Sequence, residues 1–303
     1  MNTLTIILAL IIVIILFFIY GYMSNFKFVT TKYTIESEQL YELVGDKPIV
    51  VLSDLHNCSF GHNNSTLKEK IDAISPAYIF IVGDMVNNGT SDNNFYARDF
   101  VDYITSKYNV IYSDGNHEQG FFKDFFGDFS ENKYNLFFSN LQSEPIYDKV
   151  HNGTSFIHLA NSYIQLGNVR IYGLRIGRRF YGRFVRPDFT DDYLESLLDK
   201  TSDKFYNILL AHNPMYFKEY CKWGADLVVS GHIHGGIMRL PFIGGVISPQ
   251  MVLFPKYSGG LYTEKNASTN KISKLVLSRG LGTHTIRFRF FNPPEVIVLH
   301  VKK

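Results

Sequence analysis

Five short segments of this sequence end in side chains that bind metal ions: Ser53-Asp54-Leu55-His56, Gly83-Asp84, Gly115-Asn116-His117-Glu118, Ala211-His212-Asn213 and Gly231-His232-Ile233-His234. Carboxylate and amide oxygens suit hard divalent cations, and imidazole suits manganese, iron and zinc. The seven donors Asp54, His56, Asp84, Asn116, His212, His232 and His234 are too many for one four-coordinate ion. They fit two ions that share a bridging carboxylate. Two ions about 3.5–4 Å apart clamp a phosphoryl group and make water acidic enough to attack it near neutral pH. Taken singly each motif is weak, since Gly-Asp is usually a turn. Together they hold five of the ten histidines, and each closes an apolar run.

Those runs are the elements that must position the site. Pro48–Leu52, Tyr78–Val82, Val110–Tyr112, Ile208–Leu210 and Leu227–Val229 are short and continuously apolar, as expected of strands buried on both faces. Helical patterns fit between them at Leu67–Ile74, Asn94–Lys107 and Asp191–Leu198. The alternation implies an α/β sheet with its polar groups just beyond the strand ends, where open α/β sheets place their sites. A second set of strands is expected: a meander over Thr154–Leu159, Tyr163–Leu166 and Val169–Gly173, with Lys274–Leu277 and Glu295–Val301 added near the end.

The motif order Asp54-x-His56, Gly83-Asp84, Gly115-Asn116-His117-Glu118, His212 and Gly231-His232-x-His234 resembles the calcineurin-like metallophosphoesterase superfamily. The resemblance covers nearly all of the chain after residue 46. It implies a four-layer αββα sandwich, two mixed β-sheets flanked by helices. One metal would be held by Asp54, His56 and His234, the other by Asn116, His212 and His232, with Asp84 bridging. His117 would contact the phosphate and protonate the leaving oxygen, and Glu118 would orient His117. Gly235-Gly236, Pro255-Lys256-Tyr257 and Ser278-Arg279-Gly280-Leu281-Gly282 are similar to a bacterial membrane-associated phosphodiesterase subfamily that includes UDP-2,3-diacylglucosamine pyrophosphatases. One departure stands out. Ser113-Asp114 precedes Gly115 where relatives more often carry an apolar or small pair; Asp114 either tunes metal affinity or faces solvent, and solvent is the favoured expectation.

The N-terminus is of another kind. Residues 1–25 hold no charged side chain, and Leu4–Tyr20 is nearly all Ile, Leu, Val and Phe, about the length a helix needs to cross a bilayer. A basic start and a small-residue cleavage site, the marks of a signal peptide, are missing. The reading is a single-pass membrane anchor over residues 1–23, a tether over 24–45 in which Phe26–Tyr33 is a candidate first strand, and one phosphoesterase domain over 46–303. Lys27 and Lys32, after the helix, lean toward a cytoplasmic domain. With 30 basic and 28 acidic residues, no global basic field points to nucleic acid, and no protein partner is evident. Cys58 and Cys221 make no disulfide framework.

Two clusters bear on substrate. Phe121, Phe122, Phe125, Phe126 and Phe129 share one helical face, either packing on the sheet or walling the site. Arg175, Arg178, Arg179, Arg183 and Arg186, interleaved with Phe180, Tyr181 and Phe184, form a basic aromatic loop suited to phosphate or to a membrane surface; a solvated loop is the plain alternative. His62 is the best of the remaining histidines for a substrate contact. The expected function is a membrane-anchored two-metal phosphoesterase cleaving a phosphodiester or pyrophosphate bond, lipid-linked or nucleotide-linked. A phosphomonoesterase or protein phosphatase on the same metals, and a non-catalytic scaffold, are the alternatives.

Overall fold

Residues 2–87, 91–119, 148–150, 154–182, 187–283 and 287–303 are described in a computed structural model of the chain. Among them the strands are β1 Val29–Glu36, β2 Ile49–Leu52, β3 Tyr78–Val82, β4 Asn109–Ser113, β5 Asp148–Val150, β6 Thr154–Leu159, β7 Ser162–Leu166, β8 Val169–Leu174, β9 Tyr206–Ala211, β10 Leu227–Ser230, β11 Arg239–Leu240, β12 Gly244–Gly245, β13 Gly260–Lys265, β14 Ile272–Leu277 and β15 Glu295–Lys302. The helices are α1 Thr3–Met23, α2 Glu38–Val44, α3 Ser65–Ile74, α4 Phe95–Thr105, α5 Asp191–Leu197 and α6 Phe217–Trp223. The Phe121–Phe129 face, Arg183, Phe184 and Arg186 lie outside the described residues.

The strands make a seven-stranded sheet in the order β1-β15-β2-β3-β4-β6-β5 and a six-stranded sheet in the order β13-β14-β10-β9-β8-β7. Both are mixed: β2, β3, β4 and β6 run parallel, while β15 pairs antiparallel with β2. Every residue of β2 and β10 is buried, as the continuous apolar runs require. One face of the first sheet meets the second through a core that includes Val51, Phe80, Ile208 and Val229. The outer face of the first sheet is covered by α3 and α4, and that of the second by α5 and α6. α4 buries Ala97, Phe100, Val101, Ile104 and Thr105, the i, i+3, i+4, i+7, i+8 stripe of a helix covering a sheet. The result is the four-layer αββα sandwich.

Two readings of the sequence are corrected. The expected meander does not exist. β6 pairs with β4 in the first sheet, whereas β7 and β8 join the second. The chain changes sheets at Asn161, in a left-handed turn (φ 55°). Gly173 makes room for the crossing, because a Cβ there would lie 2.3 Å from Leu159 Cβ. β15 likewise belongs to the first sheet, between β1 and β2.

The second correction concerns residues 24–45, which are built into the sandwich. β1 starts and ends later than the Phe26–Tyr33 strand of the sequence reading, and it pairs with β15 in parallel from Val29↔Glu295 to Glu36↔Lys302. The buried Glu295 locks the pair, accepting hydrogen bonds from Thr31 Oγ1 (2.6 Å), Arg279 N (2.7 Å) and Arg279 Nη2 (2.6 Å). Ser37 caps α2 by accepting from Leu40 N, and Ile35, Leu40 and Val44 are buried. The polar look of this segment comes from β1 being an edge strand, whose outward residues meet water.

α1 spans 21 residues without an acidic or basic side chain, and only Gly21 is buried. At 1.5 Å per residue it is about 31 Å long. By length and composition it is long and apolar enough to cross a membrane.

A chain beginning at Asn25 is expected to unfold cooperatively. One beginning at Asp46 loses the burial of Ile35, Leu40 and Val44, roughly 5–9 kcal/mol of apolar transfer, and bares the β15 edge. Urea midpoints and soluble yield compare the two, and equal midpoints would restore residues 24–45 to a tether.

Candidate metal centre

Each motif lies just past the C-terminal end of a strand: Asp54 and His56 after β2, Asp84 after β3, Asn116 and His117 after β4, His212 after β9, His232 and His234 after β10. The first three strands belong to one sheet and the last two to the other, so the donors gather where the two sets of strand ends meet. The backbone bends sharply to deliver them. Asp54, His56, Asp84, His232 and His234 all have positive φ, between 47° and 69°, a region that non-glycine residues enter at a cost. Hydrogen bonds between neighbouring loops hold these turns: Asp54 N to Gly83 O (2.9 Å), His56 N to Asp84 O (3.1 Å) and Gly231 N to His212 O (3.0 Å). Gly83 lets two loops touch, since a Cβ on it would sit 2.2 Å from Gly115 N.

The donors fall into three overlapping groups whose ligand atoms lie within 4.8 Å of one another: Asp54, His56 and His234; His56, Asp84 and His117; Asp84, His212 and His232. Asp84 appears in two of them. Its Oδ2 is 3.1 Å from His212 Nε2, 3.8 Å from His56 Nε2 and 4.0 Å from His117 Nε2. His234 Nε2 lies 3.4 Å from Asp54 Oδ1 and 3.3 Å from His56 Nε2. Asn116 Oδ1 is buried without a hydrogen-bond partner, a costly state for an amide oxygen unless a cation satisfies it.

Two imidazoles are anchored from behind. His212 Nδ1 is 2.6 Å from Val82 O and His234 Nδ1 is 3.1 Å from Gly282 O. A proton on each Nδ1 donates to the carbonyl and leaves the Nε2 lone pair facing the cluster, the tautomer a metal needs. The residues present therefore fit divalent ions in both donor chemistry and orientation.

The field of the cluster is that of a cation site. Burial raises the Asp54 carboxyl, and the Asp84 charge pushes it the same way. For Asp84 burial also pushes upward, but His212, His56 and His117 outweigh it and hold the group well below the usual carboxylate range. Burial would lower His212, yet Asp84 and Asp54 hold it raised. Burial lowers His117, opposed by Asp84.

His117 is fixed through its backbone, its N–H donating to Asp84 Oδ1 at 2.8 Å. Glu118 holds the loops around His117. Its carboxylate accepts from the N–H groups of Asp84 (2.8 Å), Met85 (2.7 Å) and Gly115 (2.9 Å) and from Tyr112 Oη (2.8 Å). It thus ties together the two loops that carry Asp84 and His117.

Asp114 does not face solvent. It is fully buried, with Oδ1 2.7 Å from His158 Nε2 and Oδ2 paired with the Arg175 guanidinium. Burial opposes its ionisation, and His158 and Arg175 overcome that and lower its pKa. The basic loop is accordingly not simply solvated. Arg178 donates to Gln119 O, and Tyr181 sets its ring 5.0 Å from His232. His62 is exposed on a turn after Gly61. Cys58 lies against Gly282.

A supporting shell escaped the sequence reading. Arg289, fully buried, donates to the carbonyls of Arg279 (2.9 Å), Asn292 (3.3 Å), Gly280 (3.4 Å) and Gly282 (2.8 Å). Gly282 O is also the anchor of His234. Asn292 Nδ2 donates to His234 O (2.7 Å) and Gly236 O. The alternation Arg287-Phe288-Arg289-Phe290 was the available signal, since it sends Arg289 and the phenylalanines to opposite sides.

The calcineurin-like phosphoesterase family model matches residues 47–236, which include every donor named above. The chain belongs to this family. It is similar to uncharacterized metallophosphoesterases: Cj0846 of Campylobacter jejuni, 28% identical over 96% of this chain and 68% of the relative; YkuE of Bacillus subtilis, 25% identical over 93% and 88%; and one of Aquifex aeolicus, 26% identical over 93% and 95%. Calcineurin-like phosphoesterases use divalent metals, and this chain is a metal-dependent phosphoesterase with Asp and His clusters suited to hold them.

Asn292→Ala is expected to weaken manganese binding about 10–100-fold, the usual cost of losing an outer-shell partner, with the fold retained; titration followed by the signal of free Mn²⁺ reads it. Asp114→Asn breaks a buried pair and should cost about 3 kcal/mol of stability, read from urea unfolding.

Proposed function

We propose that this calcineurin-like phosphoesterase is held in a membrane by α1 and hydrolyses a phosphodiester or pyrophosphate bond in a lipid-linked or nucleotide-linked substrate with two divalent ions. The observation that carries the chemistry is the Asp84 carboxylate, which groups with His212 and His232 on one side and with His56 on the other, His56 in turn grouping with Asp54 and His234. Asp54, His56 and His234 would hold one ion and Asn116, His212 and His232 the other, with Asp84 between them; manganese, iron and zinc all suit this donor set. When bound, such ions polarise phosphoryl oxygens and acidify water.

The chain's own residues do the rest. His117, whose Nε2 faces Asp84, delivers a proton to the departing oxygen as its bond to phosphorus breaks, sparing the reaction a poor alkoxide leaving group. The incoming water gives up a proton as its oxygen bonds to phosphorus, so the sum is hydrolysis. Glu118 holds the loops so that His117 and Asp84 keep their separation. Arg178, tied to the same loop through Gln119, offers a guanidinium for a phosphate oxygen. A helix of this length and composition favours a substrate that shares the membrane with the enzyme.

Full-length protein in lipid nanodiscs with added manganese is expected to hydrolyse a diester reporter faster than a monoester one. Asp84→Asn should abolish turnover, and His117→Ala should lower it about 10²–10⁴-fold on substrates with poor leaving groups. Removing the metal with a chelator should stop the reaction, and manganese should restore it. A strong monoester preference would reverse the substrate ranking. Undiminished activity of Asp84→Asn would sink the metal assignment.

A further inference from the structure

Large apolar side chains outside α1 are exposed at twelve described positions, and six of these, Phe242, Ile243, Met251, Leu253, Phe254 and Phe291, fall in two segments. The segments are joined. Met238 forms a bridge with Phe290, Arg239 N donates to Phe290 O (3.0 Å), Val246 N to Met238 O (2.8 Å) and Phe254 N to Val246 O (2.8 Å). The loops 237–254 and 287–291 are therefore one hydrogen-bonded body with its apolar tips outward.

This body is fastened to α1. The Phe17 and Phe290 ring centroids are 4.2 Å apart, Phe17 and Phe288 5.4 Å, and Tyr20 and Phe290 5.4 Å. Arg289 N donates to Gly21 O (2.9 Å), and a Cβ on Gly21 would strike the Phe288 ring at 2.1 Å. The apolar surface of α1 thus runs on without a break into the loop tips.

Two further features fit a lipid interface. Phe242, Met251, Phe254 and Phe291 hold left-handed backbone, with φ from 46° to 64°. A turn that only had to face water would be made more cheaply by Gly or Asn. A cleft of about 560 Å³ beside Phe242, Ile243 and Phe291, which line it, also carries Arg239, bonded to the carbonyls of Gly235 and Ser258, and Lys256, paired with Glu264. Basic groups beside projecting aromatics match the profile of a bilayer surface, with phosphates outside and acyl chains within.

We propose that the loop tips of 242–254 and Phe291 are a second membrane contact, inserted beside α1, which seats the metal-ligand cluster at the bilayer surface. The inference rests on the reading of α1 as an anchor. The mechanical link is short on both sides. His234 leads through Gly235-Gly236 directly into the body, and Arg289 reaches from between Phe288 and Phe290 to the carbonyls of Gly280 and Gly282 behind the cluster. A phosphoryl group at headgroup level is what such a seat presents to the cluster.

The test is depth-dependent quenching in the full chain. Trp223 is the one tryptophan, so Trp223→Phe gives a dark background into which Phe242→Trp, Phe254→Trp, Ile12→Trp and Ser268→Trp are placed singly. In nanodiscs whose lipids carry bromine near the top of the acyl chain, the reporters at 242 and 254 should lose about twofold in fluorescence, since interfacial side chains lie about 5–10 Å into the headgroup and acyl boundary. They should also resist aqueous iodide. The reporter at 268, on an exposed turn, should show the opposite. Quenching at position 12 without quenching at 242 and 254 overturns the second contact and leaves the anchor standing. No quenching at position 12 by lipids brominated near the acyl-chain end, the depth its place midway along α1 requires, overturns both. Shielding from iodide without lipid quenching at 242 and 254 also overturns the proposal, and assigns the tips to a contact between copies of the protein.

Discussion

Asp54 and Asp84 are buried side by side where the ends of two sheets meet, and most of the architecture answers to that placement. Taking a carboxylate out of water costs several kcal/mol per ion even after relaxation, and two like charges together cost more. The partners that offset this are all in view. Three imidazoles stand within 4.0 Å of Asp84 Oδ2, His117 N–H donates to Asp84, and His232 N–H donates to Asp54. Such a cluster is stable only where positive charge can be supplied, which is why a donor set of this kind takes divalent ions. The strained turns follow from the same demand. A carboxylate on a straight strand would stand out from one face of the sheet, and the left-handed turns at Asp54 and Asp84 redirect both toward a common point beyond the strand ends.

How far the sequence discloses this depends on the range of the interaction concerned. The apolar runs before Asp54, Asp84, Asn116, His212 and His232 are local signals, and each became a buried strand within two residues of where its composition places it. Sheet membership is not local. Thr154–Leu159 has the same pattern whether it pairs with β4 or with β7, and the structure pairs it with β4, with Gly173 packed close against Leu159. The edge strand β1 reads as a polar tether because half of its residues face water and its partner β15 lies some 260 residues on.

The same rule sorts the site. The residues that gather at the strand ends were legible because each belongs to a motif that is dense in rare residue types. Asp114 was expected to face solvent because its partners, His158 and Arg175, are 44 and 61 residues away, and nothing in either local pattern ties it to Asp114. Glu118 was legible as a site residue, but its backbone partners were not. Nothing in Gly-Asn-His-Glu says that the carboxylate will spend both oxygens on the backbone of another loop.

The alternation at 287–291 joins the two halves of the molecule's behaviour. In an extended segment neighbouring side chains leave on opposite sides, so a single stretch can stack Phe288 and Phe290 on α1 while burying Arg289 behind the metal cluster. A guanidinium with four carbonyl partners is not free to slide, and a phenylalanine pair wedged against Gly21 is not free to tilt. Displacement of α1 relative to the sandwich would therefore be felt at Gly282 O, and through it at the His234 ring. Tethering alone would need only a flexible link after α1. β1 and the Phe288–Phe290 wedge instead hold the helix and the cluster in fixed relation.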